Sequence, residues 1–136
     1  MVSGGSGRRT LESYDFHADR WRDFGAEMIA GRSGHGSAVS GDKVFVVGGS
    51  SSPSCECFDP DSRVFVALKP PPRSVHKVSW RRRLEVEAHA IGGKIFVVGG
   101  GSEHVLAYCM EKEQWEKVAR MPERCGGFAC TRVPNL

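Results

Sequence analysis

A tryptophan next to a run of arginines is the feature of this sequence with the clearest binding chemistry. Trp80, Arg81 and Arg82 lie in the segment KVSWRRRL at positions 77–84. Planar guanidinium groups form paired hydrogen bonds with carboxylates or phosphates, and a tryptophan supplies a large anchoring surface. The cluster predicts an acidic peptide or protein as the partner; the alternative is a solvated loop whose tryptophan folds back onto the protein. Nucleic acid is not predicted, because one arginine cluster on a chain of net charge +3 provides too little positive charge.

Thiols and imidazoles are the groups in this sequence best able to bind a metal, but their spacing does not build a site. Cys55 and Cys57 lie on one face of a predicted strand, whereas a structural zinc site usually needs four ligands, and no second pair has suitable spacing. His35 falls between predicted strands, where it can face a partner, and His89 is expected to be a hydrogen-bonded core residue. We predict neither a metal site nor a cofactor. The remaining histidines are His17, His76 and His104.

The sequence lacks the short motifs of hydrolases and of phosphate-binding enzymes. It contains no Gly-x-Ser-x-Gly turn to carry a nucleophilic serine. The glycine-rich stretch GRSGHG at positions 31–36 neither follows a predicted strand nor opens a helix, so it does not predict a phosphate loop. We therefore predict a non-enzymatic protein with no catalytic residues.

Composition is typical of a soluble β-rich domain in a reducing compartment. Of the residues, 40% are apolar and 17 are glycine, and no apolar run approaches the roughly 18 residues of a membrane span. The chain opens with polar residues and glycine rather than with a signal peptide. Its five cysteines show no disulfide framework, which favours the cytoplasm, with the nucleus as the alternative. We predict no membrane partner.

Glycine pairs recur along the chain and mark a repeat. Gly48-Gly49 returns as Gly4-Gly5, 44 residues earlier, and as Gly99-Gly100, 51 residues later. Two large aromatic residues, seven positions apart, follow each pair at a near-constant distance. We expect these aromatics to be buried between neighbouring units of the repeat. They are Tyr14 and Trp21, Phe58 and Phe65, and Tyr108 and Trp115.

A second repeated pattern predicts the strands that position these landmarks. The run GDKVFVV at 41–47 reappears as GGKIFVV at 92–98, a glycine turn followed by β-branched and aromatic residues. This pattern is typical of a hairpin that leads into an inner strand buried on both faces. Short strands in units of this length indicate the blades of a β-propeller. The predicted strands are 1–5, 11–16, 20–24, 36–40, 43–47, 55–58, 64–68, 86–91, 94–98, 105–109, 115–119 and 128–132.

With these landmarks the chain resembles the kelch repeat, in which an inner strand ends in a glycine pair and is followed by an aromatic residue, an acid and a tryptophan. Tyr14-Asp15 and Phe58-Asp59 match the step from aromatic residue to acid. Met121-Pro122 matches the Met-Pro step that follows the tryptophan. The departures are Phe65 in place of tryptophan and Cys109 in place of the acid.

The predicted fold is all-β: a kelch-type β-propeller segment of about three four-stranded antiparallel blades in an incomplete ring. The predicted units are 1–31, the outer strands of a partial blade; 32–72 and 73–122, two blades; and 123–136, the first strand of a further blade. Arg32, Arg73 and Arg124 recur at matching positions and are expected to bond carbonyls or carboxylates where blades meet. Two interpretations of the length stay open: a segment of a longer kelch protein, or two copies that associate to complete a propeller.

In kelch propellers, the loops after the glycine pair and the crossings between blades share the face that binds a partner protein. Carried over by position, the resemblance implies a partner site built from these loops and crossings. The implied function is substrate recognition for a cullin-based ubiquitin ligase; the alternative is a cytoskeletal, actin-associated or scaffolding protein. The site residues are Arg8, Arg9, Ser33, Ser50, Ser51, Ser74, Trp80, Arg81, Arg82, Ser102, Glu103 and His104.

Overall fold

The fold consists of β-strands joined by turns and loops. The computed structural model describes residues 2–49, 54–72, 85–123, 130–131 and 133. The strands of this described part are β1 (Val2–Ser3), β2 (Thr10–Asp15), β3 (Arg20–Glu27), β4 (Gly36–Ser40), β5 (Lys43–Val47), β6 (Cys55–Asp59), β7 (Val64–Leu68), β8 (Val86–Ile91), β9 (Lys94–Gly99), β10 (His104–Cys109) and β11 (Gln114–Arg120). The described part of the chain contains no helix long and apolar enough to cross a membrane.

The strands form three antiparallel sheets in which each strand pairs with the next along the chain. The first sheet contains β1 to β3, the second β4 to β7 and the third β8 to β11. Tight turns produce this order: Gly92-Gly93 joins β8 to β9 with φ angles of 55° and 77°, a backbone that glycine adopts without strain. The predicted fold class is confirmed, since the described residues form an all-β, unclosed array that includes two four-stranded antiparallel sheets.

An aspartate at the end of β2 and of β6 shapes the turn to the next strand. Asp15 Oδ1 accepts hydrogen bonds from the backbone N–H groups of His17 and Ala18, both at 3.0 Å. Asp59 Oδ1 accepts the same two bonds in the next sheet, at 3.0 and 3.3 Å. Because these bonds stabilise the ionised carboxylates, they lower the pKa of both groups. The acid of the repeat is therefore a turn residue.

Adjacent sheets pack face to face around apolar cores. Between the first and second sheets, Phe58 is fully buried, and its ring meets Phe24 edge-on with centroids 5.4 Å apart. Between the second and third sheets, Trp115 Nε1 donates a 2.7 Å hydrogen bond to the Lys69 carbonyl. The first core contains Leu11, Met28, Val44, Val46 and Phe58; the second contains Ala38, Phe45, Val47, Cys55, Cys57, Val86, Ala88, Ile95, Val97, Leu106 and Tyr108.

The repeated aromatic residues face the preceding sheet, and this orientation makes one prediction wrong. Phe58 and Tyr108 are buried against the sheet before their own. Tyr14 and Trp21 occupy the matching face of the first sheet, which no described residue covers. Trp21 is consequently 56% exposed instead of buried, although its ring contacts Tyr14 at a centroid distance of 5.4 Å.

The predicted strands agree with the structure except near their ends. β4, β5, β7 and β8 have the predicted bounds. β3 continues past Gly25 to Glu27, because Gly25 (φ 69°) lies in an irregularity where the Asp23 carboxylate accepts its N–H at 2.8 Å and pairing with β2 then resumes. The strand predicted at 128–132 lies largely outside the described residues.

Candidate functional site

A fully buried ion pair joins the first crossing between sheets to the second sheet. Arg32 lies between β3 and β4, Glu56 lies in the middle of β6, and the two are 0% and 1% exposed. Arg32 Nε donates to Glu56 Oε1 at 3.0 Å, and Nη2 bonds the same oxygen. Glu56 also accepts the backbone N–H groups of Ile29 at 2.6 Å and Ala30 at 3.2 Å. The buried charges are tolerated because both carboxylate oxygens have donors.

The remainder of the Arg32 guanidinium holds both ends of the loop that follows β5. Arg32 Nη1 donates to the carbonyl of Gly48 at 2.6 Å and to that of Ser54 at 2.7 Å. Gly48 and Ser54 also bond each other through the backbone at 3.1 Å. The prediction that Arg32 bonds carbonyls and carboxylates is confirmed, while Arg73 and Arg124 lie outside the described residues.

Backbone hydrogen bonds connect the loops of the three sheets through the first crossing. We call this connected surface the loop rim: residues 4–9, 28–35, 48–49, 54, 85 and 99–104. Its glycines allow the close approach, since a Cβ on Gly4 would lie 2.9 Å from the Arg32 carbonyl oxygen. The connecting bonds run from Gly5 N to Arg32 O at 3.0 Å, from Val86 N to Gly34 O at 3.0 Å and from Gly100 N to Glu85 O at 2.8 Å.

Arg8, Arg9 and Ser33 lie together on the first-sheet part of the loop rim. The Arg32 N–H donates to the Arg8 carbonyl at 3.1 Å, which places Ser33 beside that loop. Arg9 forms an ion pair with Glu27 at 3.3 Å, and Ser33 is half-buried. The Arg8 side chain is exposed and presents its charge to solvent.

Ser102, Glu103 and His104 form the third-sheet part of the loop rim, and their polar groups shape the loop itself. Ser102 Oγ accepts the His104 N–H at 3.0 Å. Glu103 pairs with Arg120 at 3.3 Å and accepts the Met121 N–H on its carbonyl at 2.7 Å. The three residues are half-buried. The structure therefore places the two groups of predicted partner residues on one rim but in different sheets.

Half of the predicted partner residues lie outside the described residues. Two of them, Ser50 and Ser51, follow Gly49 in the loop whose ends Arg32 holds. The others belong to the segment between Pro72 and Glu85. Their role stays a prediction from the sequence. The six residues are Ser50, Ser51, Ser74, Trp80, Arg81 and Arg82.

Comparison with known proteins places the repeats in a family. A family model described as the Kelch motif matches residues 31–72 and 82–122. The chain belongs to the kelch family. It is also similar to the N-(sulfonatooxy)prop-2-enimidothioate sulfolyase of Thlaspi arvense, with 33% identity over 118 residues that cover 79% of this chain and 33% of that protein. The chain thus spans about a third of that relative's length. Kelch repeats in general form protein-interaction modules.

His35 of this kelch chain is directed into the junction and bonds a serine. Its Nε2 lies 2.8 Å from Ser3 Oγ, and a Cβ on Gly4 would lie 2.9 Å from its ring. Burial and the neighbouring Arg32 charge lower the pKa of His35, with Glu56 acting in the opposite direction. Its Nδ1 is buried without a hydrogen-bond partner among the described residues, as is Nε2 of His89. The expectation of a hydrogen-bonded His89 was therefore wrong for that atom.

Acid should destabilise the kelch fold through His35. Because the pKa of folded His35 lies below its ordinary value of 6.5, the unfolded chain binds the proton more readily. The stabilisation is present above about pH 6.5 and is lost as the pH falls below it. We expect the urea midpoint to drop between about pH 7 and pH 5, and His35→Gln to flatten this slope. His17→Gln, at an exposed position, is the control and should keep the slope; an unchanged slope in His35→Gln would contradict the assignment.

The buried thiols lack the properties of catalytic cysteines. Burial raises the pKa of Cys55 to about 12 and also raises the pKa of Cys57. A thiol that stays protonated is a poor nucleophile and a poor metal ligand. Within the described ranges, no group of three or more histidine, cysteine, aspartate or glutamate side chains is arranged to hold a metal ion. These cysteines pack in the core between the second and third sheets.

Sequence reasoning identified Arg32 but missed Glu56, its partner. The two residues are 24 positions apart, and only the packing of the first crossing against the second sheet brings them together. The sequence does contain a signal for Glu56. It is a charged residue flanked by Cys55 and Cys57 and followed by Phe58, in a strand whose other residues are typical of a buried strand. Glu12 stands 44 residues earlier, the same spacing that relates the first two glycine pairs. An acid repeated within an apolar strand indicates a buried partner.

Proposed function

We propose that this chain is a non-enzymatic recognition module whose loop rim binds an acidic segment of a partner protein. The observation that supports the proposal is the connected rim, in which three loops are held together by backbone hydrogen bonds and by Arg32. Preorganised loops lose little conformational entropy when a partner binds. Exposed polar groups on such loops are suited to reading the surface of another protein.

The charge on this surface favours an acidic partner. Arg8 is exposed on the loop rim, and the sequence places Trp80, Arg81 and Arg82 in the crossing that leads to the third sheet. Arginine and tryptophan are the residues most often found at the energetic centre of protein interfaces. Guanidinium groups also bind carboxylates through two parallel hydrogen bonds. The proposal therefore assigns the binding of acidic groups to Arg8 and, from the sequence alone, to Trp80, Arg81 and Arg82.

Binding of acidic peptides to the purified chain tests this surface. We expect a peptide library selected on the chain to be enriched in aspartate and glutamate, with affinity that falls as salt is raised. Arg8→Glu and Arg81→Glu should each weaken the selected peptides about tenfold or more.

The matched control is Arg20→Glu. Arg20 is exposed and is the first residue of β3, where it pairs with Asp15 at the end of β2 away from the loop rim, so its reversal should leave the affinity unchanged. Enrichment of neutral or basic peptides would contradict the proposal. Equal losses in Arg8→Glu and Arg20→Glu would contradict it as well, since a general charge effect would then explain the binding.

We further propose that the bound protein is the substrate of a cullin-based ubiquitin ligase, in the cytoplasm or nucleus. The support is that kelch propellers commonly serve as the substrate-binding part of such ligases. Affinity purification from cells of the polypeptide that carries this segment should recover a cullin, and Arg8→Glu should leave the cullin while losing the substrate. Co-sedimentation with actin filaments in place of cullin recovery would favour the cytoskeletal alternative.

An enzymatic function is the second candidate, and the name of one relative favours it. The Thlaspi arvense protein is called a sulfolyase, but the chain matches 33% of its length. Two residues of this chain resemble catalytic groups. His35 forms a hydrogen bond with Ser3, and burial raises the pKa of Cys55 so that its thiol stays protonated. Incubating the chain with N-(sulfonatooxy)prop-2-enimidothioate and following its loss tests this candidate. Turnover above the uncatalysed rate would overturn the non-enzymatic proposal.

A further inference from the structure

The outer edge of the second sheet differs from the outer edges of the sheets on either side of it. The outer edge of each sheet is its last strand along the chain: β3 in the first, β7 in the second and β11 in the third. Within the described ranges, none of these strands pairs with a further strand on its outer side. Backbone N–H and C=O groups along such an edge can pair with a strand of another chain, unless features of the edge prevent it.

β3 and β11 carry two features that prevent edge-to-edge pairing, namely charged side chains and an irregular register. The pairing of β3 with β2 shifts between Thr10 and Glu12, and that of β11 with β10 depends on a shift between Val105 and Leu106. Such irregularities twist an edge away from a second strand, and charges on the edge make pairing costly. The exposed charged residues are Arg20, Arg22, Asp23 and Glu27 in β3, and Glu116, Lys117 and Arg120 in β11.

β7 has neither feature. It consists of Val-Phe-Val-Ala-Leu, without a charged residue, and all five residues pair with β6 in an unbroken register. Val64 and Val66 are 51% and 57% exposed, and they lie on the same side of the strand because side chains alternate along it. A regular edge strand with exposed β-branched side chains is suited to accept an extended segment as an additional strand.

Charges at the two ends of β7 indicate what this segment must carry. Arg63 precedes the strand and Lys69 follows it; both are exposed, and neither forms an ion pair with a described residue. A second copy of this chain that paired through β7 would set basic groups beside basic groups in either strand direction, which destabilises pairing. An uncharged run with an acid at each end would form two opposite-charge pairs instead. Charge complementarity therefore favours another protein over a second copy.

We infer that β7 is a docking site at which an extended segment of a partner protein adds a fifth strand to the second sheet. The segment alternates β-branched residues and carries an acid at each end of that run. Main-chain hydrogen bonds hold it on the edge, while Val64 and Val66 select its side chains. This inference goes beyond the function proposed for the loop rim, because it places a contact on the outer edge of the second sheet.

Hydrogen exchange of the backbone amides, followed by NMR on the full chain, tests the inference. The probe is the capped peptide Glu-Val-Ser-Val-Ser-Val-Glu. In the free chain, the amides of residues 64–68 that do not bond β6 should exchange fast, and saturating peptide should slow them at least about tenfold. The capped peptide Lys-Val-Ser-Val-Ser-Val-Lys should bind at least about tenfold more weakly, because its charges repeat those of Arg63 and Lys69.

Variants separate pairing on β7 from a general effect of charge. Val66→Glu should weaken the acidic peptide at least about fivefold. Val118→Glu is the matched control, because Val118 is 48% exposed on β11 and its replacement adds the same charge to another outer edge; the affinity should not change. Combining Arg63→Glu with Lys69→Glu should reverse the preference between the two peptides. Circular dichroism establishes that each variant keeps its strands, and Val64→Glu replaces Val66→Glu if that variant does not fold.

Protection of all the β7 amides in the free chain at low concentration would overturn the inference, because the chain would then cover this edge itself. Protection that increases with protein concentration would make a second copy the occupant and would overturn it too. The same holds if neither peptide binds, if both bind equally, or if exchange slows at residues 4–9 of the loop rim and not in β7. Equal losses in Val66→Glu and Val118→Glu would also contradict docking on β7.

Discussion

Replacement of Glu56 by leucine is expected to lower the free energy of unfolding by about 3–5 kcal/mol. The substitution leaves the guanidinium of Arg32 buried without its carboxylate, and it removes the acceptor for the N–H groups of Ile29 and Ala30. Leucine itself fits such a position, since Leu106 occupies the matching place in the third sheet and is 4% exposed. The loss of stability in Glu56→Leu would therefore come from the unpaired charge and not from the shape of the new side chain.

Urea denaturation at one fixed protein concentration measures this effect, because self-association would otherwise shift the midpoint. The double variant Arg32→Met with Glu56→Leu should recover a large part of the loss, as no buried charge then remains. Glu116→Leu is the control: it removes the carboxylate of the exposed pair with Lys94 and should leave the midpoint close to that of the natural sequence. A double variant less stable than Glu56→Leu would contradict this account of the junction.

Phe58→Ala is expected to cost a similar amount, about 3–5 kcal/mol. Phe58 is fully buried between the first and second sheets and contacts the rings of Phe24 and Phe65, at 5.4 and 4.8 Å between centroids. Truncation leaves a cavity at the centre of the smaller of the two cores, which has few residues that can relax into it.

Thermal and urea unfolding followed by tryptophan fluorescence and circular dichroism measure this loss. Val66→Ala is the control, because Val66 lies on the adjoining strand and is 57% exposed. Its free energy of unfolding should change by no more than about 0.5 kcal/mol. Equal destabilisation by the two substitutions would mean that the contact between the first two sheets does not support the fold.

The local structure of this chain was predictable because its turns are unambiguous. Glycines with positive φ bracket β5 (Lys43–Val47) and precede β9 (Lys94–Gly99), so the starts of these strands could be read from the sequence. The end of β3 could not, because Gly25 reads as a strand terminator and in fact lies in an irregularity within the strand. Single-sequence patterns do not distinguish a bulge from an end.

The site was predictable only in part, because it depends on contacts between distant segments. The position of Arg32 in the repeat indicated a junction residue, and the glycine pairs indicated the loops that form the loop rim. Recognition of Glu56 as its partner required the packing of one sheet on the next. The exposure of Trp21 likewise depends on which neighbour covers a given face, and the repeat pattern carries no information on that neighbour.

The two junctions of this chain differ at one matched strand position, and this difference distinguishes the second sheet from the third as the partner of the first crossing. One junction pairs Arg32 with Glu56, while the matching strand position at the next holds Leu106. If the third sheet packed on the first in place of the second, Arg32 would face Leu106 instead of Glu56. Such a misfolded chain would bury the Arg32 guanidinium without its carboxylate, so the Arg32–Glu56 pair disfavours this exchange of repeats.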